Sequence, residues 1–170
     1  MNNKVGVIDK DFNTVISYKY KGIVICKGYS LFVVNNGNKW GVVDLNDNAI
    51  IDFKYDEFIG FGDGLFCFRK DEFYGYVDIF DQPVIAFIYS DATCFSNGYG
   101  TVEIDDNMWQ VINVKGEYVL TDICNHYAES TNEVIYISNK PYNPVTRIYE
   151  KIERYYINYN GERIEPKYQQ

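Results

Sequence analysis

The sequence predicts an all-β protein made of tandem repeats, arranged as an open and twisted array of short antiparallel hairpins or three-stranded units. Three observations support this prediction. A pattern recurs about every 35 residues, β-branched and aromatic runs alternate with turn residues, and no window sustains a helical apolar period. A closed, propeller-like ring is the alternative arrangement, although propeller blades usually need four strands and longer units.

The repeat is centred on a glycine that follows an aromatic residue and precedes two apolar residues and an aspartate. A tyrosine comes eleven residues after that aspartate. Copy one shows the same spacing at Gly6, Asp9 and Tyr20, and copy four has Gln110 and Asn113 at the glycine and aspartate positions. In the central copies and at the start of the fourth, the repeat positions are Trp40, Gly41, Asp44, Tyr55, Tyr74, Gly75, Asp78, Tyr89 and Trp109.

The repeat divides the chain into units within a single domain, residues 1–170. Residues 125–148 contain an insertion relative to the repeat period. The predicted units cover residues of about 5–39, 40–73, 74–108 and 109–148, followed by a partial unit at 154–170.

Each unit is expected to contain about three short strands and two tight loops. In copy two, the apolar runs "GVVD" and "NAIID" flank turn residues and predict a hairpin. A third apolar run, such as Leu65 to Phe68, precedes a polar loop that leads to the next aromatic-glycine pair. The best helical candidate is residues 149–156, "YEKIERYY", so we expect at most one helix there.

The segment "KWGVVDLNDNAIIDFKYDEF", which begins at Lys39, resembles the WG-repeat family, also called KWG repeats. Only copy two has the literal Trp-Gly pair, since copy three has Tyr74-Gly75 and copy four has Trp109-Gln110. The resemblance extends from about Val5 to Tyr168. It implies an all-β array used for binding, and it brings no catalytic residues.

The remaining motifs favour a protein that is not an enzyme and needs no cofactor. The recurring aspartates could form a ring of acids, but the asparagines in later copies favour turn-stabilising Asx residues. Trp40, Tyr74 and Trp109 could form a platform for a sugar or a base, although packing between units is favoured. His126 lies too close in sequence to Cys124 and Ser130 to favour a nucleophilic pair.

No metal site is expected, because the four cysteines lie 27 or more residues apart and a single histidine is available. We expect these cysteines to be small buried residues. Residues 1–20 show no signal peptide, and no run approaches the roughly 18 apolar residues of a membrane span. We therefore expect a cytoplasmic protein that does not bind membranes.

Charge is the strongest functional signal. Residues 41–110 contain 14 acids and three bases, and the formal net charge of the whole chain is −8. This charge opposes direct nucleic-acid binding. It could simply keep the protein soluble, or it could form a surface for a basic partner. The acids predicted to contact that partner are Asp63, Asp71, Glu72, Glu103, Asp105 and Asp106.

Two functions from different classes follow. The first is a non-catalytic module that binds another protein through its repeat loops and acidic face. The alternative is an acidic inhibitor, such as a toxin-immunity or phage anti-defence protein, that blocks a basic nucleic-acid-handling protein. The sequence leaves the identity of the partner and the oligomeric state open.

Overall fold

A computed structural model describes residues 3–106, 108–119, 127–130, 135–139, 142–143, 148–149, 153–158 and 162–164. The regular elements in these ranges are all β-strands. Sheet 1 is a two-stranded antiparallel hairpin of β1 (Val5–Ile8) and β2 (Thr14–Tyr20). In the described part of the chain, no helix has the length and apolar character needed to cross a membrane.

Sheet 2 is a four-stranded antiparallel meander in which each strand pairs with the next one in the sequence. Its strands are β3 (Gly22–Cys26), β4 (Leu31–Asn35), β5 (Trp40–Asp44) and β6 (Ala49–Tyr55). Strands β4 and β5 each bury three consecutive residues, since both of their faces are covered. The central strands are therefore nearly continuous apolar runs.

Sheet 3 repeats this topology with the next repeat of the sequence. Its strands are β7 (Glu57–Gly62), β8 (Leu65–Lys70), β9 (Phe73–Val77) and β10 (Pro83–Tyr89). Only one residue, Asp56, separates β6 from β7, so one sheet leads directly into the next.

Sheet 4 has three antiparallel strands, β11 (Asp91–Ala92), β12 (Tyr99–Asp105) and β13 (Met108–Asn113). Beyond it lie β14 (Tyr127–Ser130), β15 (Ile135–Asn139), β16 (Tyr142–Asn143), β17 (Ile148–Tyr149), β18 (Glu153–Ile157) and β19 (Arg163–Ile164). Sheet 5 has the order β14-β15-β18-β19, and β16 pairs with β17. None of the sheets in the described ranges closes into a barrel, and the all-β tandem prediction is confirmed.

About three strands were expected in each unit, whereas sheets 2 and 3 each have four strands. The missed strands are β3, "GIVIC", and β7, "EFIGFG". Glycines interrupt the apolar pattern of β7, and β3 leaves both Val24 and Ile25 exposed, so neither shows clear alternation. Both strands lie at the edge of a sheet, where pairing rather than burial defines them.

At most one helix was expected, within residues 149–156, and the described residues of that range form strands. Residues 153–157 form β18, which pairs with β15 in register, and Tyr156 lies opposite Tyr136. The rings of these two tyrosines are 5.4 Å apart. Cross-strand aromatic contact and sheet pairing therefore outweigh the local preference of a short charged segment for a helix.

The core lies between successive sheets. The ring of Tyr55, from sheet 2, stacks on Phe68 of sheet 3 with centroids 4.2 Å apart and planes 3° apart. Phe87 of sheet 3 packs against the same tyrosine at 5.7 Å. Phe66 and Val42 are fully buried in the same cluster. Each cluster combines residues of two successive sheets, so every sheet depends on its neighbours for part of its burial.

Candidate functional site

The recurring aspartates hold hairpin turns. Asp44 Oδ1 accepts hydrogen bonds from the backbone N of Asn46 at 2.8 Å and of Asn48 at 2.9 Å. Asp9 and Asp78 make the same pair of contacts in their own turns. Asn113 Oδ1 and Asn158 Oδ1 also accept backbone hydrogen bonds from residues of their turns. These positions therefore need an oxygen acceptor, and they keep their role when the charge is lost.

In the turns of the two central copies, a second acid binds the preceding sheet, a contact that was not predicted from the sequence. Asp47 Oδ1 accepts a hydrogen bond from the Tyr20 hydroxyl at 2.6 Å, and its Oδ2 lies 2.9 Å from Lys19 Nζ. One repeat later, Asp81 Oδ1 accepts a hydrogen bond from the Tyr55 hydroxyl at 2.7 Å, and Asp81 forms an ion pair with Lys54.

The signal for these contacts was present in the spacing. Both acids follow the turn aspartate by three residues, and each bonded tyrosine lies 26 or 27 residues earlier. In the next repeat Gly116 stands at the position equivalent to Asp47 and Asp81. The turn that begins at Asn113 therefore lacks this acid. A comparison of turn positions between copies would have found this motif.

The contacts change the acidity of Asp47. Partial burial acts to raise its pKa, but hydrogen bonds from the side chains of Lys19, Tyr20 and Ser17 outweigh it and lower the pKa to about 2. Burial and the bond to Asp81 raise the pKa of Tyr55 above its ordinary value. Both groups therefore stay in their usual ionisation states near neutral pH, and the contacts have a structural role.

The aromatic residues before the repeat glycine differ in exposure. Trp109 is buried in the cluster between sheets 4 and 5, whereas Trp40 and Tyr74 are half-buried. The Trp40 ring packs against Phe58 with centroids 5.9 Å apart. Trp40 also lines an apolar groove of about 470 Å³ between the edge strands β3 and β7. At Trp40, packing between units thus leaves part of the ring accessible.

The acids predicted to contact a partner fall into two groups. Asp63 lies in the β7–β8 turn, where its Oδ2 accepts a hydrogen bond from Gly98 N at 2.6 Å. The other five lie at the opposite end of the strands, in or beside the β8–β9 and β12–β13 turns. We call this surface the acidic turn end, and its members are Asp71, Glu72, Glu103, Asp105 and Asp106.

The turns of this end are exposed. Asp71, Glu72, Asp105 and Asp106 are all exposed, and Glu103 is half-buried. Asp71 has a φ of 57°, a left-handed conformation that aspartate tolerates, and its backbone N donates to Asp56 Oδ2 at 2.8 Å. The backbone thus fixes the turn and leaves the carboxylate to point outward as a charge.

Beyond Lys70 the charges along the sequence are one-sided, although Arg69 Nη1 donates a hydrogen bond to the Asp71 backbone oxygen at 2.9 Å. From residue 71 to residue 114 the sequence contains no lysine, arginine or histidine. The same stretch contains eight acids, which are Asp71, Glu72, Asp78, Asp81, Asp91, Glu103, Asp105 and Asp106. Asp81 pairs with Lys54 of the preceding sheet, and Asp78 holds a turn. The four fully exposed acids of this stretch therefore all belong to the acidic turn end.

The junction between sheets 2 and 3 carries its own cations. Lys39 pairs with Asp56, and Arg69 Nε lies 3.0 Å from Glu57 Oε2. The Tyr74 hydroxyl donates to the same Glu57 oxygen at 3.2 Å. The hydrogen bond from Lys39 is the main reason why the pKa of Asp56 is lowered. Charges are therefore balanced within the chain at this junction.

At the junction between sheets 3 and 4, a surface groove of about 430 Å³ opens beside the acidic turn end. Its lining residues are Phe73, Ile88, Ser90, Glu103, Ile104, Asp105 and Asp106. The Ser90 hydroxyl donates to Glu103 Oε2 at 3.0 Å. The groove thus combines apolar walls with three carboxylates.

The cysteines show no nucleophilic or metal-binding arrangement in the described ranges. Cys26 and Cys67 are buried free thiols, and burial raises the pKa of Cys26 to about 11. Cys94 is half-buried, and the candidates Cys124 and His126 lie outside the described residues. Among the residues that are described, no group of three or more His, Cys, Asp or Glu side chains could hold a metal ion.

A family model for the WG-containing repeat matches residues 40–72 and 74–109, which form two tandem copies. No curated protein sequence matches the chain. Among solved structures, the chain is similar to Hsv2 of Kluyveromyces marxianus at 11% identity and a TM-score of 0.46. It is similar to Kluyveromyces lactis Hsv2 at 12% identity and a TM-score of 0.42.

The alignments with the two Hsv2 structures cover 71% and 65% of this chain. They cover 44% and 38% of the Hsv2 chains, so the chain spans less than half of either. The family match covers the part of the chain that contains both the literal Trp-Gly pair and the acidic turn end. Residues 40–72 and 74–109 thus match the WG-containing repeat in tandem, within the longer range of the predicted resemblance.

Proposed function

We propose that this repeat protein is a non-catalytic binding module whose acidic turn end contacts a basic surface on another protein. The observation that carries this proposal is the clustering of exposed carboxylates on adjacent turns within a 44-residue stretch that lacks any basic residue. The tandem all-β fold is consistent with a binding module. The charged turns are displayed on paired strands, so the surface is largely formed before binding.

The physical role of such a surface is to guide the encounter. Exposed charges separated from a partner by less than a Debye length, about 8–10 Å at 0.1–0.15 M salt, accelerate association with the opposite sign. They add little to the stability of the fold itself. The acids that stabilise the hairpins and junctions, such as Asp44 and Asp47, are different residues from those of the acidic turn end. Asp105 also accepts a hydrogen bond from Asp106 N at 2.8 Å, and asparagine keeps that acceptor while it removes the charge.

The first experiment identifies the partner by pull-down from the native host and measures association at two ionic strengths. The test variants are Asp71→Asn/Glu72→Gln and Asp105→Asn/Asp106→Asn. The matched control is Asp11→Asn/Asp52→Asn, which changes the net charge by the same two units at exposed positions elsewhere. Asn tolerates the positive φ of Asp71, so backbone strain is not introduced.

We expect both test variants to slow association several-fold at low salt and to reduce its salt dependence, while the control stays near the wild-type rate. Unfolding midpoints in urea should remain unchanged for all three variants. An acidic or neutral partner, or equal rates for test and control variants, would overturn the proposal. If the partner handles nucleic acids, competition by duplex DNA would distinguish the inhibitor alternative from a scaffold.

A further inference from the structure

In the groove between sheets 3 and 4, apolar and acidic residues stand where the preceding repeat has basic residues. The basic residues of segment 39–70 are Lys39, Lys54, Arg69 and Lys70. Exactly one repeat later, 34 residues on, their counterparts are Phe73, Ile88, Glu103 and Ile104. All four counterparts line the groove. The exchange thus affects one continuous surface and replaces every cation of the earlier repeat.

The strand registers show that Arg69 and Glu103 occupy equivalent positions. The equivalence ends there, because the register of β12 and β13 shifts between Glu103 and Asp105. Arg69 lies opposite Tyr74 between β8 and β9, and Glu103 lies opposite Trp109 between β12 and β13. On the other side, Glu57 faces Arg69, whereas Asp91 faces Glu103. The cross-strand pair therefore has opposite charges in sheet 3 and like charges in sheet 4. Like charges directly opposite each other lower the stability of a sheet.

The apolar walls of the groove are accessible to a partner. Phe73 is 45% exposed and Ile88 is 62% exposed, and Ile104 is half-buried between them and the acids. An acidic site without apolar walls would suit a hydrated ion. Apolar walls that lead to carboxylates instead match a side chain with an aliphatic stem and a cationic head.

We propose that this groove is a subsite for an arginine side chain of a protein partner, an inference that rests on the proposed function. The aliphatic stem packs along Ile88 and Ile104, and the guanidinium reaches Glu103 and Asp105 with Phe73 beside it. Arginine is favoured over lysine because its planar head pairs with carboxylates in a bidentate manner and stacks on aromatic rings. The partner thus supplies at this junction the kind of cation that Arg69 supplies at the preceding one.

The test uses the full chain and a defined probe, the peptide Gly-Arg-Gly-Arg-Gly, titrated at low ionic strength and followed by backbone amide NMR. The same peptide with citrulline in place of arginine keeps the length and planar shape of the side chain, but it removes the charge and replaces one NH2 donor with a carbonyl oxygen. The test variant is Ile88→Lys, which places in the groove the residue type that Lys54 provides one repeat earlier. The matched control is Val84→Lys, which adds the same charge at an exposed position of the same strand, β10.

We expect shifts concentrated at Phe73, Ile88 and Ile104 with the arginine peptide and none with the citrulline peptide. Ile88→Lys should weaken binding by roughly fivefold or more, while Val84→Lys remains close to wild type. Equal binding by both lysine variants, equal binding of the citrulline peptide, or no shift at all would overturn the subsite. Shifts confined to the turn of Asp71 and Glu72 would also overturn it, yet would leave the acidic turn end as a binding surface. The association rates measured with the native partner decide the proposed function separately.

Discussion

The contact of Asp47 with the preceding sheet can be tested by the substitution Asp47→Asn. This residue has a φ of 63°, and asparagine tolerates this left-handed conformation, so the change leaves the turn backbone unstrained. It removes the negative charge of the carboxylate. That carboxylate accepts a hydrogen bond from the Tyr20 hydroxyl at 2.6 Å and forms an ion pair with Lys19 Nζ at 2.9 Å. The variant therefore isolates the electrostatic part of the contact between sheets 1 and 2.

The expected magnitude follows from the pKa of Asp47. The pKa is about 2 in the folded chain against an ordinary value of 3.8, a difference of 1.8 units. At about 1.4 kcal/mol per pKa unit, this corresponds to roughly 2 kcal/mol of stability. The Asp47 side chain is 12% exposed, but that of Lys19 is 55% exposed, so solvent screening reduces the figure. We expect Asp47→Asn to lower the free energy of unfolding by about 1–2 kcal/mol at pH 7.

The sign of the pH dependence follows from the same shift. A carboxylate whose pKa is lowered by folding stabilises the folded state above its unfolded pKa, and this contribution is lost as pH falls through the folded value. The difference between wild type and Asp47→Asn should therefore be complete above about pH 5. It should fall to roughly half near pH 3 and be small at pH 2 or below.

The assay is urea unfolding at pH 7 and pH 3, followed by the fluorescence of Trp40 and Trp109. Asp52→Asn is the matched control, because Asp52 is exposed on β6 of the same sheet. A double-mutant cycle with Tyr20→Phe measures the coupling directly. A stability of Asp47→Asn equal to that of the control at pH 7, or a difference that does not shrink at pH 3, would refute the reasoning.

Two further predictions concern packing between units. Gly62→Ala should destabilise the fold by about 3 kcal/mol or more or prevent folding, because a Cβ at Gly62 would lie 1.8 Å from the Phe95 backbone oxygen; near wild-type urea unfolding would contradict this close approach. Trp40→Ala should cost about 2–4 kcal/mol, since the half-buried ring packs on Phe58. An unchanged unfolding midpoint for that variant would show that Trp40 serves a ligand rather than the fold.

Turn chemistry and strand composition could be predicted well from the sequence. The aspartate of "GVVD" was expected to be a turn acceptor, and Asp44 accepts two backbone hydrogen bonds from its own hairpin. The apolar runs became the central strands β4, β5, β8 and β9. Glycine-interrupted β7 and the tyrosine-rich β18 were not recognised as strands, because their pairing depends on partners elsewhere in the chain.

The candidate site was predicted in part. The sequence identified an excess of acids, but it grouped Asp63 with Asp105 although strand topology places them at opposite ends of the sheets. It also counted Asp47 and Asp81 simply as charges, whereas both bind a tyrosine of the preceding sheet. Composition alone does not distinguish an acid that is neutralised within the chain from one that faces solvent.

The sequence by itself determined the repeat, its period, the identity of the turns and the sign of the charge, because these properties depend on residues within one unit. Tertiary structure decided which acids are paired, where Trp40 is accessible and how Phe73, Ile88 and Glu103 come to line one groove. These outcomes depend on contacts between residues that lie 15 to 30 positions apart and belong to different strands. Their geometry is set by the stacking of one sheet on the next, which no local pattern of residues specifies.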